Sequence, residues 1–346
     1  MSICAHTSTS RHLSARRTHR GRFHCRPPLI LPVDARNCPY GCPADCGSGV
    51  PFLLSYVGAL IESDFEIAAS YTTRNSPIYQ HDSDFEVFID AGGFCHQYKE
   101  LELNALNTVW NLLLDKPYSD GGGEFSGRVA SKGEPRYYDV RAQRTATRLV
   151  RGGLNASGGG VWAVEIAMAH SDTLRLEPSL PSLPRVAAPA PDTLWRINFS
   201  RVEHKGDINW VWNPMRIWDA RQRTFAGKVN MHLPDAWGYV QLVPSAGAPL
   251  VHDVHWPARL AAASLYYAQH EYWEVHGIFA SEIRQLEELL PLEITDPFAV
   301  DIVLPQEGQF RIQVEEAEGD TVVITQDRLM LVRPASAQPS QTNAAE

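Results

Sequence analysis

Short runs of apolar–polar alternation, cut apart by glycine- and proline-rich segments, constrain this chain more than any other feature. "LSYVGALI" (54–61), "DFEVFID" (84–90), "YKELELNAL" (98–106), "VWAVEIAM" (161–168), "LWRINFSRVE" (194–203) and "WGYVQLV" (237–243) all show it. A two-residue period fits extended strands whose successive side chains point to opposite faces. The segments "AGG", "SDGGGEFSG", "NASGGG" and "PSLPSLPRVAAPAPD" supply turns. Many short strands with such punctuation predict a mainly β fold, an antiparallel β-sandwich of the jelly-roll or immunoglobulin-like kind.

The period changes in "HWPARLAAASLYYAQHEYWEVHG" (255–277), where Leu260, Ala263, Ser264, Tyr267, Tyr272 and Val275 follow helical spacing. Pro257 suits the first turn and Gly277 the stop. "ASEIRQLEELL" predicts a second short helix. "AVDIVLP", "QFRIQVEEA", "TVVITQD" and "RLMLVR" then return to strand alternation. The expected organisation is a leader (1–50), a β-sandwich (51–245), a helical extension (255–291), a small antiparallel meander (292–334) and a polar tail (335–346).

The ends differ from the body. Residues 1–33 hold six arginines, four histidines and no acid, a composition like that of organelle transit peptides. A disordered extension or a misplaced gene start explains it equally well. Five of the six cysteines lie in the first 46 residues, and Cys25, Cys38, Cys42 and Cys46 depart from the usual zinc-ligand spacings. Cys95 is alone, so the body has no disulfide framework. The net charge of −9 argues against a nucleic-acid partner. No apolar window of about 18 residues offers a membrane span.

Trp162, Val164, Ile166 and Met168 share one face of their strand, as do Trp195, Ile197 and Phe199. The polar positions of the other strands then collect Glu86, Glu102, Asn104, Arg196, Asn198 and Ser200 on one surface. Carboxylates and amides flanked by rings suit sugar hydroxyls and the apolar face of a pyranose. Tyr79, Trp110, Trp210, Trp212 and Trp237 are the nearby rings. A solvated outer face with cross-strand charge pairs gives the same pattern.

The stretches "SDFEVFID", "YKELELNALNTVWNLLLDKPYSDGG", "WAVEIAM", "WRINFSRVE", "NWVWNP" and "VNMHLPDAWGYVQL" together resemble the carbohydrate-binding family 9-like proteins. These are related to family 9 carbohydrate-binding modules and the wider DOMON-like sandwiches. The resemblance runs from Tyr56 to Leu242, and "ASLYYAQHEYWEVHGIFASEIRQLEEL" resembles the helical extension that follows such domains. It implies non-catalytic binding of a glycan or polysaccharide on a concave sheet face, in polysaccharide catabolism, by relatives that are often exported. The family's glutamate falls on Glu86 and its asparagine on Asn104. Its arginine falls on Glu102, its glutamine near Ser200, and its clamp tryptophans near Gln80 and Met231. Tyr79, Trp212 or Trp237 are the candidates to replace that clamp, and the strands that usually precede "YVGA" are missing.

Other readings follow from the same residues. A glycoside hydrolase needs two carboxylates about 5–9 Å apart, for which Glu86 and Glu102 are the candidates. A sandwich that has lost its ligand would serve as an interaction module. Haem is disfavoured, since the adjacent Met231 and His232 would point to opposite faces of a strand. No cofactor is expected beyond a structural calcium, for which Asp82, Asp84, Asp90 and Asp120 are the oxygen donors near glycine-rich turns.

Overall fold

The alternating runs pair as antiparallel strands in two facing sheets. The computed structural model describes residues 2–4, 54–243 and 248–335. The leader cysteines Cys25, Cys38, Cys42 and Cys46 and the tail from 336 onward lie outside the described residues. The larger sheet runs β1 (Ser2–Cys4), β13 (Gly238–Val243), β9 (Leu194–Glu203), β3 (Asp84–Asp90), β4 (Tyr98–Asn104), β5 (Val109–Leu114) and β6 (Glu124–Ser126), with β10 (Ile208–Val211) paired to β9. The smaller sheet is β2 (Leu54–Ser63), β8 (Gly160–Ala169) and β7 (Arg144–Arg151).

Alternation sets which side chains meet. Val87, Ile89, Leu101, Leu103, Trp195 and Ile197 of the larger sheet pack on Val57, Trp162, Val164, Ile166 and Met168 of the smaller one. Strand β7, "RTATRLVR", carries too few apolar residues to signal itself; it is a largely exposed edge. Such a basic edge discourages pairing with another chain.

The expectation of one wet face fails for the central strands. All seven residues of β3 and all seven of β4 are buried. A third apolar cluster explains this: Met215, Leu233, Ala236 and Trp237 pack on Phe88, Tyr98, Trp110, Leu112 and Leu114. The segment from the hairpin of β11 (Met215–Asp219) and β12 (Thr224–Lys228) to the start of β13 therefore covers part of the outer face.

After α1 (His170–Thr173), the long helix is α2 (Trp256–His276), ended by Gly277 at φ 69°. Its alanine-rich face, with Ala258, Ala261, Ala262 and Leu265, packs on Phe310, Ile312, Val314, Val322 and Ile324. Those residues belong to the meander β14 (Ala299–Val303), β15 (Arg311–Glu315), β16 (Thr321–Thr325) and β17 (Met330–Arg333), which follows α3 (Leu292–Thr295). The predicted helix "ASEIRQLEELL" is instead two single 3₁₀ turns, Ile283–Gln285 and Glu287–Leu289. Eleven residues before Pro291 are too few to sustain an α-helix without strong tertiary support.

One arginine ties the meander to the rest. Arg328 sits in the turn between β16 and β17 at φ 67°, a conformation that non-glycine residues rarely adopt. Its guanidinium lies 2.9 Å from Asp120 and 2.8 Å from Asp235, with Tyr266 and Tyr267 of α2 each 3.1 Å away. The residue is 3 % exposed. Replacing Arg328 by Met strands two buried carboxylates, and we expect a loss of roughly 3–5 kcal/mol in urea unfolding near neutral pH. Adding Asp120→Asn and Asp235→Asn should restore part of it; an unchanged midpoint for Arg328→Met would contradict this account.

Candidate functional site

Strand register assembles the outer face of the larger sheet as a grid. Ser200, Glu86, Glu102 and Trp110 form one row across β9, β3, β4 and β5. Asn198, Phe88, Glu100 and Leu112 form the next, while Asp84 lies opposite Asn104 on the other side. Asp84, Glu86, Glu100 and Glu102 are thus neighbours, and none is more than 4 % exposed.

Their surroundings leave these carboxylates poorly compensated. Ser200 donates to Glu86 Oε2, and Val202 N–H donates to Asp84 Oδ1 at 2.8 Å. Glu100 and Glu102 hydrogen-bond to each other and leave their Oε2 atoms without a further partner, Asp84 Oδ2 has none, and neither amide atom of Asn198 has one. The arginines of this region are committed elsewhere: Arg128 to Glu124, Arg196 to backbone carbonyls and Arg328 to Asp120 and Asp235. Burial therefore raises the Glu86 carboxyl to about 7. Burial and mutual repulsion hold Asp84, Glu100 and Glu102 well above the ordinary carboxylate range.

Several expected site residues turn out to be structural. Asn104 donates to Tyr71 O at 2.8 Å and Asp82 Oδ2 at 2.7 Å, and accepts from Leu106 and Thr108 N–H. That uses the amide's full capacity and leaves nothing for a sugar. Arg196 donates to Pro234 O and Asp235 O at 3.0 and 2.8 Å, anchoring the covering segment between the rings of Tyr239 and Trp256. Trp237 is 2 % exposed; its ring packs on Phe88 and Tyr98, and its Nε1–H donates to Met231 O. Trp212 packs edge-on against Phe199 on the inner core. Neither tryptophan is free to clamp a ligand. The expected calcium donors part company too. Asp82 accepts from Ser70, Tyr71 and Asn104, Asp90 accepts from Phe94 and Cys95 N–H, and Asp120 pairs with Arg328. Only Asp84 joins an acid cluster.

The remaining expected residues, Glu86, Glu102, Asn198, Ser200 and Tyr79, do lie together, with others that the alternation did not single out. Tyr79 stacks on Trp110 at 5.9 Å, Arg128 lies 5.1 Å over the same indole, and Trp110 Nε1–H donates to Glu124 at 3.2 Å. Tyr118 lies edge-on to His232 at 4.6 Å, and its hydroxyl is kept protonated by burial and by nearby Glu100, Glu124 and Glu102. Tyr79 and Tyr118 are 39 % and 45 % exposed, an aromatic lip beside the acids. The missed signal for Glu100 was the E-x-E spacing with Glu102 in "YKELELN"; Tyr118 and Arg128 sit in turn-rich segments without a period.

The fold and this face define the class: a mainly antiparallel β-sandwich protein whose central sheet buries an acidic cluster beneath an aromatic lip. No family model matches the chain, and no curated protein matches it in sequence. Among solved structures it is similar to a candidate carbohydrate-binding protein from Bacteroides uniformis, at 13 % identity over 54 % of this chain and 71 % of that one, with a TM-score of 0.33. So loose a superposition assigns neither ligand nor family.

A pH test isolates the Glu86 carboxyl. The folded protein holds this proton more tightly than the unfolded chain, so stability is lost as pH rises from about 4.5 through about 7. Glu86→Gln removes that dependence. In chelator-containing buffer its stability relative to wild type should climb across this window by up to roughly 3 kcal/mol. A difference that stays flat with pH would show that Glu86 ionises normally.

Proposed function

We propose that this protein binds a glycan without transforming it, at the aromatic lip formed by Tyr79 and Tyr118 and the carboxylates beneath. The reading is that of a carbohydrate-binding family 9-like protein with a rebuilt clamp, in which exposed tyrosines stand in for tryptophans. The observation that carries it is the juxtaposition of two exposed rings with buried acceptors whose capacity is unspent, Glu100 Oε2 and Glu102 Oε2 among them. Rings take the apolar face of a pyranose, and carboxylates accept from its hydroxyls. Glu86, Glu102, Asn198 and Ser200 remain the expected contacts of that face, with Asn104 and Arg196 supporting it from behind.

A glycan array probed with the full chain tests this, followed by calorimetry of any hit. Tyr118→Ala and Glu102→Gln should each weaken binding about tenfold or more, on the order of 1.4 kcal/mol. A folded protein that binds no glycan would remove the reading. One geometric fact favours a second reading, glycoside hydrolysis: Glu86 and Glu102 offer oxygens within 4.8 Å of each other on adjacent strands, and Glu86 is raised to about 7, as a general acid requires. Release of reducing sugar by wild type but not by Glu86→Gln would favour it over simple binding.

A further inference from the structure

We infer that Asp84, Glu86 and Glu102 form a binding site for a hard divalent cation, best suited to calcium, on the buried face of the central sheet. One oxygen from each of these residues lies within 4.8 Å of the others, close enough for a single ion to bridge all three. The donors are all oxygen, which selects calcium, magnesium or manganese over the nitrogen- and sulfur-seeking metals. A donor set whose spacing is fixed by strand register favours calcium, whose coordination is flexible, over magnesium with its strict octahedron.

A second observation comes from a neutral residue. Asn198 is 0 % exposed, and both its Oδ1 and Nδ2 are without a partner. Its strand position places it on the face of Ser200 and Glu86, one diagonal step from Glu86. A buried amide that satisfies nothing costs free energy unless something completes it, and this one sits on the sheet face that carries Glu86 and Glu102. Glu100 lies on the same face of β4, two residues before Glu102. Coulomb attraction argues the same way: a divalent cation supplies the countercharge that would let several packed carboxylates ionise here. The other candidate, His255 with Glu316 and Asp320, lacks this feature, because His255 and Glu316 already satisfy each other at 2.6 Å.

This site does not depend on the glycan reading, and its test contains no sugar. Full-length protein stripped with EDTA is titrated with calcium chloride while its melting temperature is followed, and separately with terbium while emission sensitised through Trp110, the neighbour of Glu102 in register, is recorded. Wild type should gain melting temperature with calcium and give terbium emission that calcium competes away. Glu102→Gln and Asp84→Asn should lose at least tenfold in apparent affinity. Because each replaces a buried carboxyl by an amide of nearly the same shape, each should melt no lower than wild type in EDTA, so a lost calcium response cannot be ascribed to misfolding. A folded wild type with no calcium shift and no terbium emission would overturn the proposal. So would a calcium response that survives both substitutions but disappears in His255→Ala, since the ion would then lie at the meander.

Discussion

The central strand pair β3–β4 is buried on both faces, and most of the remaining structure answers to that fact. On one side the pair meets the smaller sheet through Val87, Ile89, Leu101 and Leu103. On the other, Met215, Leu233 and Trp237 lie over Phe88 and Tyr98. A strand buried twice ordinarily carries apolar residues throughout. These two carry Asp84, Glu86, Glu100 and Glu102, so the fold bears a desolvation cost that no ion pair among the described residues offsets. Burial and mutual repulsion instead hold these carboxyls well above the ordinary carboxylate range.

Much of the fold was legible from period alone. Strand alternation located β2, β3, β4, β8, β9 and β13, and the change of period located α2 with its Gly277 stop. What alternation could not convey is what covers a face. The lid over Phe88 and Tyr98 comes from residues more than a hundred positions downstream, and nothing within "DFEVFID" announces it. The same limit applies to the site. Glu86, Glu102, Asn198 and Ser200 were placed together correctly by strand parity, whereas Asn104 belongs to the turn it caps and Arg196 to the lid it anchors. Trp237 looked like a clamp because sequence shows a ring but not its partners.

The two exposed tyrosines and the buried acids are linked through shared neighbours. Trp110 supports Tyr79 by stacking and fixes Glu124 by its indole N–H, while Glu124 in turn holds Arg128 over the same indole. The lip is therefore built on the row of the grid that also holds Glu86 and Glu102. Charge introduced at the acids would be felt at the rings, through Tyr118 as well as Trp110.

The placement of Arg328 has a temporal side. Its partner Asp120 precedes it by 208 residues and Asp235 by 93. During synthesis the sandwich strands leave the ribosome long before the turn that carries the guanidinium. Until then Asp120 and Asp235 have the hydroxyls of Tyr266 and Tyr267 as donors but lack the guanidinium that neutralises them in the folded protein. The β16–β17 hairpin is thus a late contributor to this seam, and a fragment that ends before it leaves Asp120 and Asp235 without the guanidinium that joins them.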